Sequence, residues 1–351
     1  MRSKASNIIV IGAGAGGLDA LDALISSLPV DLRASVFIVQ HLVSDDSGDA
    51  LLRQLARHPG FKARFGTEGL RFAPGRIYVA PAGSHLLLKT DRMLVRRGAR
   101  ENRNRPAIDP LFRSAAVSHG ARVIGVVLTG LLDDGTAGLV AIKKGGGVAV
   151  VQDPAHAAYP GMPQSALDGL NVDYCVPLGE MGRLLEVLVS KAHKKIRTPP
   201  RAVQTEATIA ERVLSDVAQV NGLGAQVPYN CPQCGGVLWE MAASKAKRYR
   251  CHTGHSFTQP ALLSSQAEKI EEMLWISLRM FEERKNLLTS MGKAAVRKSE
   301  KASTRQRVRE TEGHIQRIRS LLLEPQAQEP ADVLTRVKAL MAEPRKARSA
   351  R

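Results

Sequence analysis

Aromatic residues make up only 4% of this 351-residue chain, cysteine occurs four times, and no apolar run approaches the roughly 18 residues that a membrane-spanning helix needs. So few cysteines exclude a disulfide-stapled scaffold, and the lack of a long apolar run excludes membrane insertion. The start, MRSKASNIIVIG, has too short an apolar stretch and too much glycine for a secretory signal. A soluble, cytoplasmic protein is expected. What is plentiful is ordinary core material, with 44% hydrophobic and 24% charged residues, enough to bury at least one full core. The net charge of +17 is uneven: +4 over residues 1–190 and +13 over residues 191–351. A solvated helix face explains such a run more often than a nucleic-acid surface does.

Between residues 6 and 190, short β-branched runs alternate with helical stretches. The expected strands are Asn7 to Ile11, Val36 to Gln40, Arg76 to Ala80, Val123 to Thr129 and Gly147 to Gln152. This alternation predicts an α/β fold with a doubly wound, mostly parallel sheet. His85 to Lys89 and Met93 to Arg97 flank Thr90-Asp91-Arg92, which predicts a β-hairpin excursion. Lone Cys175 in its apolar stretch reads as core. Residues 191–226, with Thr198-Pro199-Pro200, read as a basic linker holding a helix over Ala207 to Val220. Residues 227–258 form a small Cys/His module, and 259–351 a helical tail with helices over Pro260 to Met291, Arg297 to Leu323 and Pro330 to Met341. An apolar stripe including Ile270, Met273, Ile276, Met280, Leu287 and Leu288 is expected to pack inside the tail's hairpin.

Gly12, Gly14 and Gly17 follow the first strand as G-x-G-x-x-G, a turn that suits a pyrophosphate at a helix N-terminus. Dinucleotide binding also needs an acid near the end of the second strand, and His41 stands there instead. Asp134 follows the strand Val123 to Thr129. If these strands are neighbours, the glycine turn, His41 and Asp134 converge outside the carboxyl ends of the sheet. A histidine oriented by an aspartate, beside glycine amides, lacks only a hydroxyl to complete an acyl-transfer triad, and the position for that hydroxyl is Gly14. No serine, threonine or cysteine lies within two residues of it, so a relocated nucleophile would have to be Thr136 or Ser84.

Over residues 6–188, VIGAGAGGLDAL, FIVQH, GRIYVAPAGSHLLL, NRPAIDPLFRSAA, GVVLTGLLDDGTAGL and GGGVAVVQDPAHAAYPGMPQSAL occur in that order. In these motifs the chain resembles the CheB-type chemoreceptor methylesterases, the protein-glutamate methylesterases. The resemblance implies hydrolysis of glutamate methyl esters on the cytoplasmic helices of methyl-accepting chemoreceptors, with glutamine deamidation in some members. It further implies a nucleophilic serine at the position of Gly14, a general base at His41 and an orienting carboxylate at Asp134, with Ala15, Asn104 and Leu131 at the substrate cleft. Glycine at position 14 predicts impaired catalysis, or a catalytically silent protein that binds receptor or partner. Many members carry a phosphorylated receiver domain first; here the first strand begins almost at once, and no receiver is expected.

Cys231-x2-Cys234, a spacer of sixteen residues and Cys251-x3-His255 form a zinc-ligand pattern. Four N/S donors make a closed, structural zinc site, with no metal expected in catalysis. His255 is the economical fourth ligand, and His252, adjacent to Cys251, stays open as the alternative. The tail is expected to dock a signalling protein, such as a methyltransferase, and nucleic acid is not the expected partner.

Overall fold

The computed structural model describes residues 7–41, 48–58, 60–191, 197–213, 216–241 and 247–323. The chain divides into two compact units at Leu262/Leu263. In the first, β1 (Asn7–Ala13), α1 (Gly17–Ser26), β2 (Ala34–Gln40), α2 (Asp49–Leu55), β3 (Lys62–Phe65) and β4 (Arg76–Val79) lead into a hairpin of β5 (His85–Lys89) and β6 (Arg92–Arg96). Next come α3 (Ile108–His119), β7 (Val123–Val127), α4 (Thr136–Lys144), β8 (Val148–Gln152), α5 (Gly161–Gly169), β9 (Tyr174–Val176) and α6 (Leu178–Ser190). Then α7 (Arg201–Arg212) and α8 (Val217–Asn221) precede β10 (Gly224–Asn230), β11 (Val237–Met241), β12 (Arg248–Cys251) and β13 (Ser256–Thr258). The chain continues as α9 (Gln259–Ala294) and α10 (Lys298–Leu323).

The main sheet has seven parallel strands in the order β3-β4-β2-β1-β7-β8-β9. Every residue of β1 and β2 is buried, because a parallel sheet covered by helices on both faces exposes neither side of its central strands. Side chains alternate across β1: Ile8 and Val10 join one core with Leu111 and Phe112 of α3, while Ile9 and Ile11 join another with Leu21 and Leu24 of α1. The chain winds outward from β1 in both directions, so the switch point lies between β1 and β7. β5 and β6 form the expected hairpin as a separate two-stranded sheet.

Two short strands escaped the sequence reading, β3 and β9, both at sheet edges. Cys175, expected in the core, is exposed on edge strand β9. Residues 191–226 hold α7 and α8 in place of one helix over 207–220, and α7 buries Val203, Glu206 and Ile209 within the first unit. In the second unit, Phe281 stacks on His314 with ring centroids 5.2 Å apart, and Leu288, Thr311 and Ile315 are buried. Ile270, Met273, Ile276, Met280 and Leu287, expected inside the helical hairpin, are instead exposed. The reason is compositional: α10 is mostly polar and offers few apolar side chains to cover them. The helix expected over Pro330 to Met341 lies outside the described residues.

β10 to β13 make a four-stranded antiparallel sheet around Leu238, Tyr249 and Phe257. Buried ion pairs help attach it to the rest of the first unit. Glu101 accepts hydrogen bonds from Arg113 of α3 and from Arg250 of β12, the latter at 2.9 Å. Glu206 of α7 accepts from Arg248 Nη2 at 2.8 Å, with Arg250 Nη2 at 3.4 Å and Arg113 Nη1 at 3.6 Å. All five residues are buried. Burial alone would raise the Glu206 pKa, but Arg248, Arg113 and Arg250 together outweigh it and hold the carboxyl below its ordinary range.

A carboxyl whose pKa is lowered on folding contributes stability above its unfolded pKa and loses that contribution as pH falls toward the folded one. Glu206→Gln should therefore cost about 3–5 kcal/mol at neutral pH, because it leaves buried guanidinium charge unpaired. In urea titrations, the gap from the parent should narrow as pH drops below the ordinary carboxyl value of 4.5. A gap independent of pH would show that the ion pairs are not its source.

Candidate functional site

The carboxyl ends of β2, β1 and β7 lie side by side, which is the adjacency that convergence of the three sequence positions requires. Backbone bonds tie them together: His41 N–H donates to Ala13 O and Gly14 N–H to Thr129 O, each at 2.9 Å. The turn after β1 reverses through Gly16, whose φ of 73° is a left-handed conformation suited to glycine, and α1 begins at Gly17. The Gln40 side chain braces this turn by donating to Gly14 O at 2.7 Å and to His41 O at 3.0 Å.

His41 and Asp134 are joined, with Nε2 2.8 Å from Asp134 Oδ2. The other ring nitrogen faces the glycine turn, so that a Cβ built on Gly14 would stand 3.4 Å from His41 Nδ1. Position 14 is thus where a side chain would meet the imidazole. The same Cβ would lie 3.0 Å from Gly130 Cα and 3.2 Å from Met162 Sδ, so these neighbours would have to yield by a few tenths of an ångström. With Asp134 ionised, Nε2–H donates to it and the Nδ1 lone pair is free to accept a proton, the arrangement that general-base chemistry needs.

Asp134 is 2% exposed and sits at the N-terminus of α3. Its Oδ2 also accepts from Ile108 N–H at 2.8 Å, and its Oδ1 from Asp109 N–H at 3.2 Å, Gly135 N–H at 2.9 Å and Asn102 Nδ2 at 3.0 Å. Burial opposes its charge, but the His41 hydrogen bond, His41's charge and these donors prevail and hold the carboxyl below its ordinary value. Neighbouring Asp109 bears the opposite effect. Burial first, and then the charge of Asp134, push its carboxyl up to about 7. Asp109 accepts from Gly138 N–H at 2.6 Å and from Asn102 Nδ2 at 3.0 Å, so one asparagine amide bridges both carboxyls.

Asn102 was not singled out from the sequence, although the NRPAIDP run that contains Asp109 begins just beyond it. Asn104, expected at the cleft, donates from Nδ2 to Asn102 O at 2.7 Å and closes the Glu101–Asn104 turn. Ala15 is half-buried in the glycine turn, with its carbonyl accepting from Thr129 Oγ1 at 3.0 Å. Leu131 is 60% exposed on the loop after β7. Thr136, weighed as a relocated nucleophile, shares a hydrogen bond with Ser165 Oγ at 3.0 Å, while Ser84 lies in the turn before β5. Asp133 is buried and accepts from Thr258 Oγ1 at 2.7 Å. Burial raises its carboxyl to about 6.

In the antiparallel module, one donor atom each from Cys231, Cys234, Cys251 and His255 all lie within 4.8 Å of one another. Cys234 Sγ is 3.8 Å from Cys251 Sγ, and Cys251 Sγ is 3.5 Å from His255 Nδ1. A tetrahedral ion with metal–sulfur bonds of about 2.3 Å and a metal–nitrogen bond of about 2.0 Å requires edges of roughly 3.8 and 3.5 Å, so the donors fit a zinc ion. No disulfide joins these cysteines. His252 packs against Gly236, outside this group of donors. The Thr253 hydroxyl, 2.8 Å from Cys251 Sγ, completes the surroundings.

The CheB methylesterase family matches residues 9–185. A putative protein-glutamate methylesterase/protein-glutamine glutaminase of Leptospira interrogans is 38% identical over 177 residues, which are 50% of this chain and 91% of that protein. Protein-glutamate methylesterase/protein-glutamine glutaminase 2 of Xanthomonas oryzae pv. oryzae is 36% identical over 189 residues, 53% of this chain and 52% of that relative. The crystal structure of the Thermotoga maritima CheB methylesterase catalytic domain aligns over its whole length and 53% of this chain, with a TM-score of 0.51 and 30% identity. With its seven-stranded parallel sheet and these relatives, the chain belongs to the CheB methylesterase family.

Proposed function

We propose that the cleft at the ends of β1, β2 and β7 receives methyl-esterified glutamate side chains of chemoreceptor helices, and that its turnover is impaired for want of a hydroxyl at Gly14. The observation that carries this reading is the 3.4 Å from a Cβ at position 14 to His41 Nδ1. A serine there would bring its Oγ within reach of the base. Its attack on the ester carbonyl would pass the Oγ proton to His41, which returns it to the departing methanol, and water would then cleave the acyl-enzyme. The chain as it stands keeps the base and the orienting carboxylate without the covalent step, so His41 can only draw a proton from water. Glutamine deamidation would follow the same course, with ammonia leaving.

The site's surroundings support a protein substrate. Leu131 stands exposed next to Gly130, whose Cα lies 3.0 Å from a Cβ at position 14. No helix among the described residues is long and apolar enough to cross a membrane. The receptor segment in question is cytoplasmic, and so is the proposed location. The exposed face of α9 that carries Met273, Ile276, Met280 and Leu287 is the proposed docking surface of the helical tail. The four clustered donors are proposed to hold one zinc ion through Cys231, Cys234, Cys251 and His255. When bound, it supplies a structural cross-link between the two knuckles of the module.

Methanol release from methylated receptor fragments tests the reading. Gly14→Ser should exceed the parent chain by at least ~10³-fold, given what losing a triad nucleophile costs. Adding His41→Ala should remove that gain. Equal rates for the parent and Gly14→Ser, both at the level of an intact esterase, would sink the assignment of position 14. Absence of release from every variant, with receptor fragments still bound, would instead support a purely binding protein.

A further inference from the structure

The antiparallel module does more than lie against the catalytic sheet: its β12–β13 hairpin is bonded to both residues that flank Asp134 in space. Asn102 N–H donates to Ser256 O at 2.7 Å, and Ser256 N–H donates back to Arg100 O at 3.3 Å, so the hairpin's edge pairs with the 100–102 segment. Glu101 pairs with Arg250, whose other guanidinium nitrogen donates to Gly254 O at 3.0 Å. Thr258 holds Asp133. Within the segment so gripped, Asn102 and Arg103 have φ values of 48° and 70°, a left-handed conformation that is unfavourable for a residue such as Arg103. It is from this conformation that Asn102 Nδ2 reaches both Asp134 and Asp109.

The same hairpin carries half of the metal donors. Cys251 and His255 bracket its turn, joined by Cys251 N–H to His255 O at 2.9 Å, and Arg250 and Ser256 immediately flank them. β13 is a three-residue edge strand that pairs only with β12 in this four-stranded sheet, so a cross-link between the β12–β13 turn and the Cys231–Cys234 turn would fix it where few ladder bonds do. We propose that metal binding at Cys231, Cys234, Cys251 and His255 sets the β12–β13 hairpin, which acts through Glu101 and Asn102 as a positioning element for the His41–Asp134 pair. This rests on the metal reading of the four donors and is independent of whether the cleft turns substrate over. Arg250, Ser256 and Asn102 are positioning residues; none of them touches the reacting atoms. Loss of the metal frees the hairpin, the 100–104 segment leaves its left-handed conformation, and Asp134 loses one of the donors that hold it beside His41.

The full-length chain, expressed with zinc, is first assayed for bound metal and then followed by amide exchange and by the low-field proton resonance of the His41–Asp134 hydrogen bond, with and without a chelator. One zinc per chain is expected. Chelation should speed exchange at the Asn102 amide by at least tenfold together with the hairpin amides of Tyr249 and Cys251, and should broaden or abolish the His41 resonance. Amides of β1 should be unaffected, and added zinc should restore the parent pattern. Arg250→Met should give the same two losses with zinc still bound, and Arg250→Lys should recover part of them. A chain that binds no zinc overturns both this inference and the metal reading. Bound zinc whose removal loosens the hairpin but leaves Asn102 and His41 as they were overturns the positioning role alone, as does removal that changes nothing.

Discussion

Two carboxylates and three guanidinium groups withdrawn from water hold this molecule's first unit in one arrangement. Glu101, Glu206, Arg113, Arg248 and Arg250 come from a loop, two helices and a strand that are distant in sequence, and each is buried. A buried charge is tolerated only when paired, so these segments cannot separate without exposing or stranding an ion. Replacing the cluster with apolar residues of similar size would cost little or even stabilise the unit; removing one partner would cost a great deal. What the cluster gives is therefore specificity of attachment. It commits α7 and the Cys/His module to one place on the face of α3, the helix whose N-terminus meets Asp134.

The charge distribution within the site follows from that placement. Asp109 and Asp134 lie close together in a dry region, where two adjacent carboxylates do not both ionise easily. Asp134 has His41 and the first amides of α3 as donors, whereas Asp109, though it accepts from Gly138 and Asn102, is pushed up to about 7. As pH falls the proton is thus taken up by Asp109 first, and the negative charge stays on the carboxylate that faces the imidazole. The asymmetry requires no difference in residue type: both carboxyls accept from amides at a helix start, and only Asp134 also has the histidine.

Strand-end logic made the three central positions legible because each is tied to a pattern the sequence displays openly: a β-branched run followed by a turn. Gly14, His41 and Asp134 needed only the adjacency of β2, β1 and β7 to meet. The metal donors were equally visible, since their spacing is local. Asn102 was not, because a residue in a left-handed loop belongs to no period and its partners lie across the fold. The basic character of the second half misled for a related reason. Arg248 and Arg250 look like members of a solvated charge run, yet Arg250 is 1% exposed; the glutamates that pair with them stand 42 and 149 residues away. Cys175 failed in the opposite direction, since an apolar stretch on an edge strand has one side left uncovered.

Glycine at position 14 brings no side chain to the imidazole, yet the arrangement around it is complete. The bracing of the turn by Gln40 and the His41–Asp134 bond are both in place. Leu131 on the loop after β7 and Ala15 in the turn before α1 lie on the open side of this arrangement, outside the His41–Asp134 pair. A tightly held imidazole–aspartate pair in such a site still fixes a polar group and its charge at the floor of the cleft. Asn102 joins the segment beneath it to the carboxylate that faces the imidazole, and the attached module is bonded to that segment through Ser256 and Arg250.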